Sequence, residues 1–291
     1  MIKRLLFFTV ILLFSLSGLF VYQAFKFNDG KLHLIFCDVG QGDAILIRTA
    51  KGDNILIDGG PDDSVLNCLS KHLPFWDKTL QAVLLTHPHA DHFTGLISVV
   101  KRYNLISYDT ENLKNSGSGA KLLQDKLAVK NLSATYLKKG DRLSDKANFS
   151  IKILWPSEEE IENSNKNSSK NGFDLDLNGF SLISLLTYGN FKALLTADAA
   201  STIDEKVGEE VGSVAVLEVP HHGSKTGLSQ TFLDQVKPKL AIISVGKNNR
   251  YGHPSLEVLN LLKNNKIQFF RTDEKGDLEI VSDGKSWWLI N

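Results

Sequence analysis

"THPHADHFTG", residues 86–95, places His87, His89, Asp91 and His92 within six positions of a 291-residue chain that has eight histidines in all. Neutral imidazole and carboxylate suit Zn²⁺, Mn²⁺ or Fe²⁺, and a set without thiolate leaves positions open to water. Loop backbone sends alternate side chains apart, so His87 and His89 can serve one ion while Asp91 and His92 serve another. The residues just before, "AVLLT" (82–86), form an apolar run of strand type. Two more apolar runs finish in the same manner: "KALLTA" (192–197) leads into Asp198, and "VAVLEVP" (214–220) into His221 and His222. A buried strand ends on imidazole or carboxylate only where its end opens onto something polar. Three such ends predict a common rim where ligand groups converge, with Pro220 stopping the ladder just before the histidine pair.

The composition sets the surroundings of that rim. With 33 basic and 33 acidic residues the net charge is zero, and 42% hydrophobic residues can fill an ordinary core. The length predicts one large domain or two small ones. Balanced charge gives no bulk attraction to nucleic acid or anionic lipid, which leaves a local basic groove as the route to either. The two cysteines, Cys37 and Cys68, are too few for a disulfide framework or a thiolate metal site; buried thiols and a single bridge both remain open. After Lys3 and Arg4, the run Leu5 to Phe25 carries no charge and is long enough to cross a bilayer. The basic flank places Met1 in the cytoplasm and the rest of the chain outside. Cleavage after Ser15-Leu16-Ser17 is the rival, but it would leave an apolar new terminus, so an uncleaved anchor over residues 1–27 is expected. The domain is exported on either reading.

From Lys31 onward short apolar runs alternate with amphipathic segments of helix length. The pattern predicts strands over 32–37, 44–49, 54–57, 81–86, 105–108, 150–154, 181–187, 191–196, 213–219, 240–245, 267–270, 277–282 and 286–290. It predicts helices over 62–72, 93–103, 118–128, 199–208, 228–236 and 255–264. Such a mixture implies sheets covered by helices in layers, over residues 31–291. The stretch 157–178, rich in Asn, Ser, Lys and acids, reads as a polar surface insertion, because strand-like patterning resumes after it.

Six stretches in order give the chain a resemblance. "FCDVGQGDAILI", "ILIDGG", "LLTHPHADHFTGL", "LLTADA", "VPHHGSKTG" and "IISVGKNNRYGHPS" resemble the metallo-β-lactamase fold, and more narrowly the soluble domain of the ComEC family of DNA-uptake competence proteins. The resemblance implies a four-layer αββα sandwich, here preceded by one transmembrane helix, with a dinuclear site at the sheet edges. It implies that Asp198 bridges two divalent ions (Zn or Mn), with His87 and His89 on the first, and that His222 joins Asp91 and His92 on the second. Many proteins of this fold bring a further histidine to the first ion. No histidine occurs between His92 and His221, so Asn178 or Ser181 takes that place and the first ion is expected to be weakly held. Asp174 or Asp176 could contribute there, although solvated loop acids are the simpler reading.

The remaining polar groups are assigned to support or to substrate. Asp58, and with it Asp43, is expected behind the ligands, orienting loop backbone or a histidine. The glycines around them lack the lysine of a P-loop and the spacing of a dinucleotide fingerprint, so they read as tight turns. Asp91, His221, Lys225 and His253 form the expected catalytic set. His221 would bind phosphate or protonate the leaving oxygen, and Lys225 and His253 would favour an anionic centre. Two metals suit hydrolysis by a metal-bridged hydroxide. The expected function is therefore a metal-dependent phosphodiesterase or nuclease, membrane-held and outward-facing. Its substrate is a phosphodiester, with single-stranded DNA in view and a DNA-uptake channel as partner, since one candidate span cannot itself form the pore. A thioester or lactone hydrolase, or a non-catalytic metal-binding module, are the alternatives.

Overall fold

The computed structural model describes residues 2–112, 118–145, 148–171 and 177–290. Asp174 and Asp176 lie outside them. The first element is the helix Ile2–Phe27, long and apolar enough to cross a membrane, with no residue buried. It touches the folded part near its C-terminal end. The Phe20 ring lies 4.3 Å from that of Trp76, and the Arg48 guanidinium donates to the Phe27 carbonyl at 2.8 Å.

Two sheets stack face to face beyond it. The first has eight strands in the spatial order Trp287–Ile290, Leu278–Ser282, Leu32–Phe36, Ile45–Arg48, Asn54–Ile57, Ala82–Leu85, Tyr108–Thr110 and Ala134–Tyr136. The second has seven, in the order Gln268–Arg271, Leu240–Ile243, Val216–Glu218, Phe191–Leu195, Ile183–Tyr188, Phe149–Trp155 and Arg142–Ser144. Alternate residues of each strand face opposite ways, and here both ways are apolar. Leu34, Phe36, Ile45 and Ile47 meet Ile151, Ile153, Leu195 and Ile242 between the sheets. Ile35, Leu46, Leu56 and Val83 turn outward beneath the helices Ser64–His72, Ala90–Arg102 and Ser118–Val129. Leu194, Leu217, Ala241 and Ile243 do the same beneath Ser201–Val211, Gln230–Val236 and Leu256–Asn264. This is the expected αββα sandwich, and it explains why the strands read as unbroken apolar runs rather than alternating ones.

At three places the structure adds detail, and at one of them, the strand 105–108, it corrects the pattern. The insertion 157–178 forms the helix Glu158–Asn171, opened by Glu158, Glu159 and Glu160 near its positive end and fixed inward by the buried Ile161. The strand placed at 105–108 is two pieces, Asn104–Leu105 and Tyr108–Thr110, and the short edge strands Ala134–Tyr136 and Arg142–Ser144 have no counterpart in the pattern. Of the two readings of the cysteines, the bridge holds. Cys37 and Cys68 are joined, with Cα atoms 5.7 Å apart, because the helix bearing Cys68 packs on the sheet where strand Leu32–Phe36 ends.

Candidate metal centre

In open α/β sheets ligands gather beyond the carboxyl ends of the parallel strands, and both sheets deliver polar groups there. In the first, the parallel strands Asn54–Ile57 and Ala82–Leu85 run out into Asp58 and His87. In the second, Phe191–Leu195 and Val216–Glu218 run out into Asp198 and the His221–His222 pair. Helix Ala90–Arg102 begins inside the histidine loop and buries His92, Phe93, Leu96, Val99 and Val100, a stripe at helical spacing. The helix lies hard against the turn after Asp58. A Cβ on Gly95 would collide with the Gly59 carbonyl, and the Gly95 amide donates to the Gly60 carbonyl at 3.0 Å. That close approach is the reason for the glycines of "DGG".

Asp198 is the centre of the geometry. Its Oδ1 lies 3.4 Å from His92 Nε2 and 3.4 Å from His222 Nε2. Its Oδ2 lies 3.8 Å from His87 Nε2 and 3.6 Å from His221 Nε2. Asp91 Oδ2 comes within 3.6 Å of His222 Nε2. His87, His89 and Asp198 offer one set of atoms close enough to share an ion; His92, Asp198 and His222 offer another. Asp43 has ligand spacing to this second set too. Its oxygens, however, approach the Nδ1 atoms of His92 (3.9 Å) and His222 (3.6 Å), the ring edges turned away from Asp198 Oδ1. Asp43 therefore stands behind the rings and Asp91 in front of them.

The donors fit a cation. His222 Nδ1 must carry a proton, since it donates to the Ser244 carbonyl at 3.0 Å, so the neutral ring leaves a bare lone pair at Nε2. His92 Nδ1 likewise faces Asp58 Oδ2 at 2.7 Å. Asp58 also accepts from the Thr86 amide (2.8 Å) and hydroxyl (2.7 Å), so one carboxylate fixes both a histidine and the loop start. His92 Nε2, His222 Nε2 and Asp198 Oδ1 are all buried with no hydrogen-bond partner among the described residues. Buried polar atoms left unpaired and converging on one point are what a divalent ion satisfies.

Charge in the site agrees. Burial and the neighbouring His92 push His87 well below the ordinary imidazole range, toward the neutral form that ligates. Burial opposes charge on His92 and His222, yet Asp198, with Asp58 or Asp43, lifts both well above that range. Burial would raise Asp198, but the imidazoles of His222 and His92 hold it well below the usual carboxylate range. Asp91 is pulled to about 2 against its own burial by the imidazole of His222, 3.6 Å away, and the charge of His92. The carboxylates select a positive charge at this point, whether proton or metal ion.

Backbone strain is concentrated in the same place. Asp58, Ala197, His221 and His222 all have positive φ, between 47° and 58°. For Ala197 no side-chain hydrogen bond can offset the cost. The residue that holds it is Glu218, whose Oε2 accepts from the amides of Thr196 (2.8 Å) and Ala197 (3.1 Å), directly before Asp198. Sequence reasoning missed Glu218. The available signal was a lone carboxylate inside the apolar run "VAVLEVP".

A cavity of about 270 Å³ opens over the centre, lined by His89, Asp91, Asn178, Asp198, His221 and His253, among others. Asn178 Nδ2 lies 3.5 Å from His221 Nε2. Ser181 is fully buried, its amide donating to the Asn178 carbonyl at 3.1 Å. The His253 ring stands 5.8 Å from that of His221, and burial with the two neighbouring histidines lowers its pKa. Lys225 is corrected: it is exposed and takes no part in the cavity lining, because the turn Ser224–Gly227 carries it outward. Asn249 and Gln41 were not singled out either. Asn249 Oδ1 accepts from the amides of Tyr251 (3.2 Å) and His253 (3.0 Å), and Gln41 Oε1 accepts from the Gly246 amide at 3.1 Å.

The αββα sandwich with its His-x-His-x-Asp-His loop at the strand ends has the metallo-β-lactamase fold, and residues 37–164 match the model of the metallo-beta-lactamase superfamily. That superfamily consists in general of metal-dependent hydrolases. The chain is 29% identical over 282 residues to ComE operon protein 3 of Bacillus subtilis, covering 90% of this chain and 34% of that protein. It is 27% identical over 268 residues to competence protein ComA of Neisseria gonorrhoeae, covering 91% of this chain and 34% of that protein. The chain thus spans about a third of the length of these curated relatives. Among solved structures, the metallo-beta-lactamase fold protein YhfI from Bacillus subtilis aligns with a TM-score of 0.57 at 12% identity, covering 87% of this chain and 100% of that one.

Proposed function

We propose that this domain is a metal-dependent phosphodiesterase of the nuclease type, acting outside the cytoplasmic membrane with two divalent ions. The carrying observation is the split of one buried carboxylate, with Asp198 Oδ1 facing His92 and His222 and Oδ2 facing His87 and His221. Such a carboxylate could serve two ions, which His87 and His89 would hold on one side and Asp91, His92 and His222 on the other. An ion on the first side would have no further histidine, with Asn178 and Ser181 in that place, and would be the looser of the two. Bound ions would lower the pKa of water and stabilise charge on a phosphoryl group.

The chain's own groups do the rest. Asp58 and the Ser244 carbonyl fix the rings of His92 and His222 with Nε2 forward. His221, with 28% of its side chain exposed to the cavity, faces the phosphate and donates a proton to the leaving oxygen. His253, beside it, adds a donor for an anionic oxygen. The helix Ile2–Phe27 anchors the domain, and the Lys3–Arg4 flank sets it on the outer face. Similarity to proteins named for competence supports single-stranded DNA as substrate and a DNA-uptake channel as partner.

The test is a substrate panel: the metal-loaded protein against bis-p-nitrophenyl phosphate, single-stranded DNA and a thioester, with Asp198→Asn as control. Cleavage of both phosphodiesters, lost in Asp198→Asn, is expected. Turnover of the thioester alone would overturn the phosphodiesterase reading, and no turnover with a full complement of metal would make the domain a binding module.

A further inference from the structure

The loop Gly246–His253 brings a second kind of chemistry to the metal rim. Tyr251 is 54% exposed, so one part of its ring is open to solvent at the rim. Its inner side stacks on the His253 ring, with centroids 5.7 Å apart and planes inclined by 27°. His253 in turn stands against His221, so an aromatic series runs outward from the metal centre: His221, His253, Tyr251. Arg250 completes it, with its guanidinium 5.0 Å from the Tyr251 centroid and Nη2 donating to the phenol oxygen at 2.9 Å. Asn249 holds the loop in this shape through both side-chain ends, accepting from two amides and donating to the carbonyls of Gly246 (2.9 Å) and His253 (2.7 Å).

Tyr251 also divides the space. It lines the cavity over the metal centre and, with Arg250, Asn249, Gln41, Pro61 and Asp91, a second cavity of about 320 Å³ beside it. That volume lies in the range of small-ligand pockets. A phosphodiester bound over the metal centre would find room for one substituent in this neighbouring chamber, walled by an exposed ring and a guanidinium. Lys247, exposed on the same loop, adds a second cation. Aromatic faces with interleaved cations are how proteins hold single-stranded nucleic acid without reading sequence, since every base has a π-face and every link a negative charge. The chain is neutral overall, so this local pairing supplies what bulk charge does not.

We propose that Tyr251 and Arg250 form a stacking subsite for the nucleobase next to the cleaved phosphate of a single-stranded nucleic acid, with Lys247 meeting the following phosphate. The inference rests on the phosphodiesterase reading and deepens it. It makes the substrate a strand with bases, rather than a wall polymer or a simple diester.

The experiment measures binding and cleavage of a short single-stranded oligodeoxynucleotide carrying 2-aminopurine, by the full chain in detergent with metal. Tyr251→Ala should weaken binding and raise KM about tenfold or more with kcat little changed, the scale of a lost base stack. It should also abolish the quenching of 2-aminopurine that stacking causes, while Tyr251→Trp restores both. On an oligonucleotide abasic at each position in turn, wild type and Tyr251→Ala should converge at one position. Arg250→Gln should flatten the salt dependence of binding. Because Tyr251 is exposed, an unchanged melting temperature in Tyr251→Ala checks that the fold is intact. If wild type cuts bis-p-nitrophenyl phosphate but neither binds nor cuts the oligonucleotide, this inference fails while the phosphodiesterase reading stands; if it cuts neither diester, both fail. If wild type binds and cuts but Tyr251→Ala does so equally, the stacking subsite alone is overturned.

Discussion

Glu218 offers the sharpest test of how the fold holds its centre, because two substitutions should move stability in opposite directions. Its Oε2 accepts from the amides of Thr196 and Ala197, while Oε1 is buried with no partner among the described residues. Burial, aided by the charge of Asp43, raises its pKa to about 8 from an ordinary 4.5. The folded state therefore favours the protonated acid, and this contribution is fully present below pH 4.5 and lost as pH rises through 8. At pH 7, where the unfolded chain has released the proton, the loss is on the order of 3 kcal/mol at 1.4 kcal/mol per pH unit. Glu218→Gln keeps an acceptor for both amides and cannot ionise. In metal-free protein it should match wild type at pH 4.5 and exceed it by roughly 3 kcal/mol at pH 7. Glu218→Ala leaves two buried amides unpaired at about 1–3 kcal/mol each, so at pH 4.5 it should be about 2–6 kcal/mol less stable than wild type. It should also lose metal affinity, since Ala197 at φ 47°, the residue before Asp198, then keeps only the bond from the His221 amide to its carbonyl. Urea unfolding of EDTA-treated protein at the two pH values, with metal titration of each variant, gives the answer. Parallel pH profiles for wild type and Glu218→Gln would refute the buried acid, and full metal affinity in Glu218→Ala would refute its role in aiming Asp198.

Reducing the Cys37–Cys68 bond, which closes a span of 31 residues, should cost about 3–4 kcal/mol of stability by the chain-entropy relation, read as a fall in the urea midpoint. Asp58→Ala should weaken metal binding by about 10–100-fold, because His92 loses the carboxylate that orients it; equal affinity by competition with a chelator would contradict this. His221→Ala should lower turnover by about 10²–10⁴-fold on a poor leaving group and far less on nitrophenolate, with bound metal nearly intact. An equal loss on both would assign His221 to phosphate binding, and an emptied site would assign it to the metal.

The sandwich was legible because its central strands are apolar on both faces and the helix after the histidine loop keeps an apolar stripe at residues 93, 96, 99 and 100. The histidine loop was legible for a different reason: ligand chemistry packed next to a strand end has no structural use. What escaped depends on contacts between distant segments. Cys37 and Cys68 meet only once helix Ser64–His72 docks on the first sheet. Lys225 follows two histidines in sequence but is turned outward by hydrogen bonds of the Ser224–Gly227 turn. The helix Glu158–Asn171 carries Asn and Ser, which favour turns, so its composition argued against the conformation its packing stabilises. Tyr251 and Arg250 sat in plain view within "NNRYGHPS", where only the neighbouring stack on His253 distinguishes them from ordinary loop residues.

The centre draws His87, His89, Asp91 and His92 from the first sheet and Asp198 and His222 from the second. Among the described residues neither sheet alone brings together both sides of this cluster, so a divalent ion could meet all of these groups only after the two sheets have closed on each other. Whatever free energy a divalent ion releases on binding would then be delivered to that closure, about 4 kcal/mol when free metal stands a thousandfold above its dissociation constant. Metal supply becomes a control on the mechanical integrity of the sandwich as well as on its chemistry. A chelator should part the sheets at a temperature the loaded protein survives, and the first segments to open should be those that meet at Asp198.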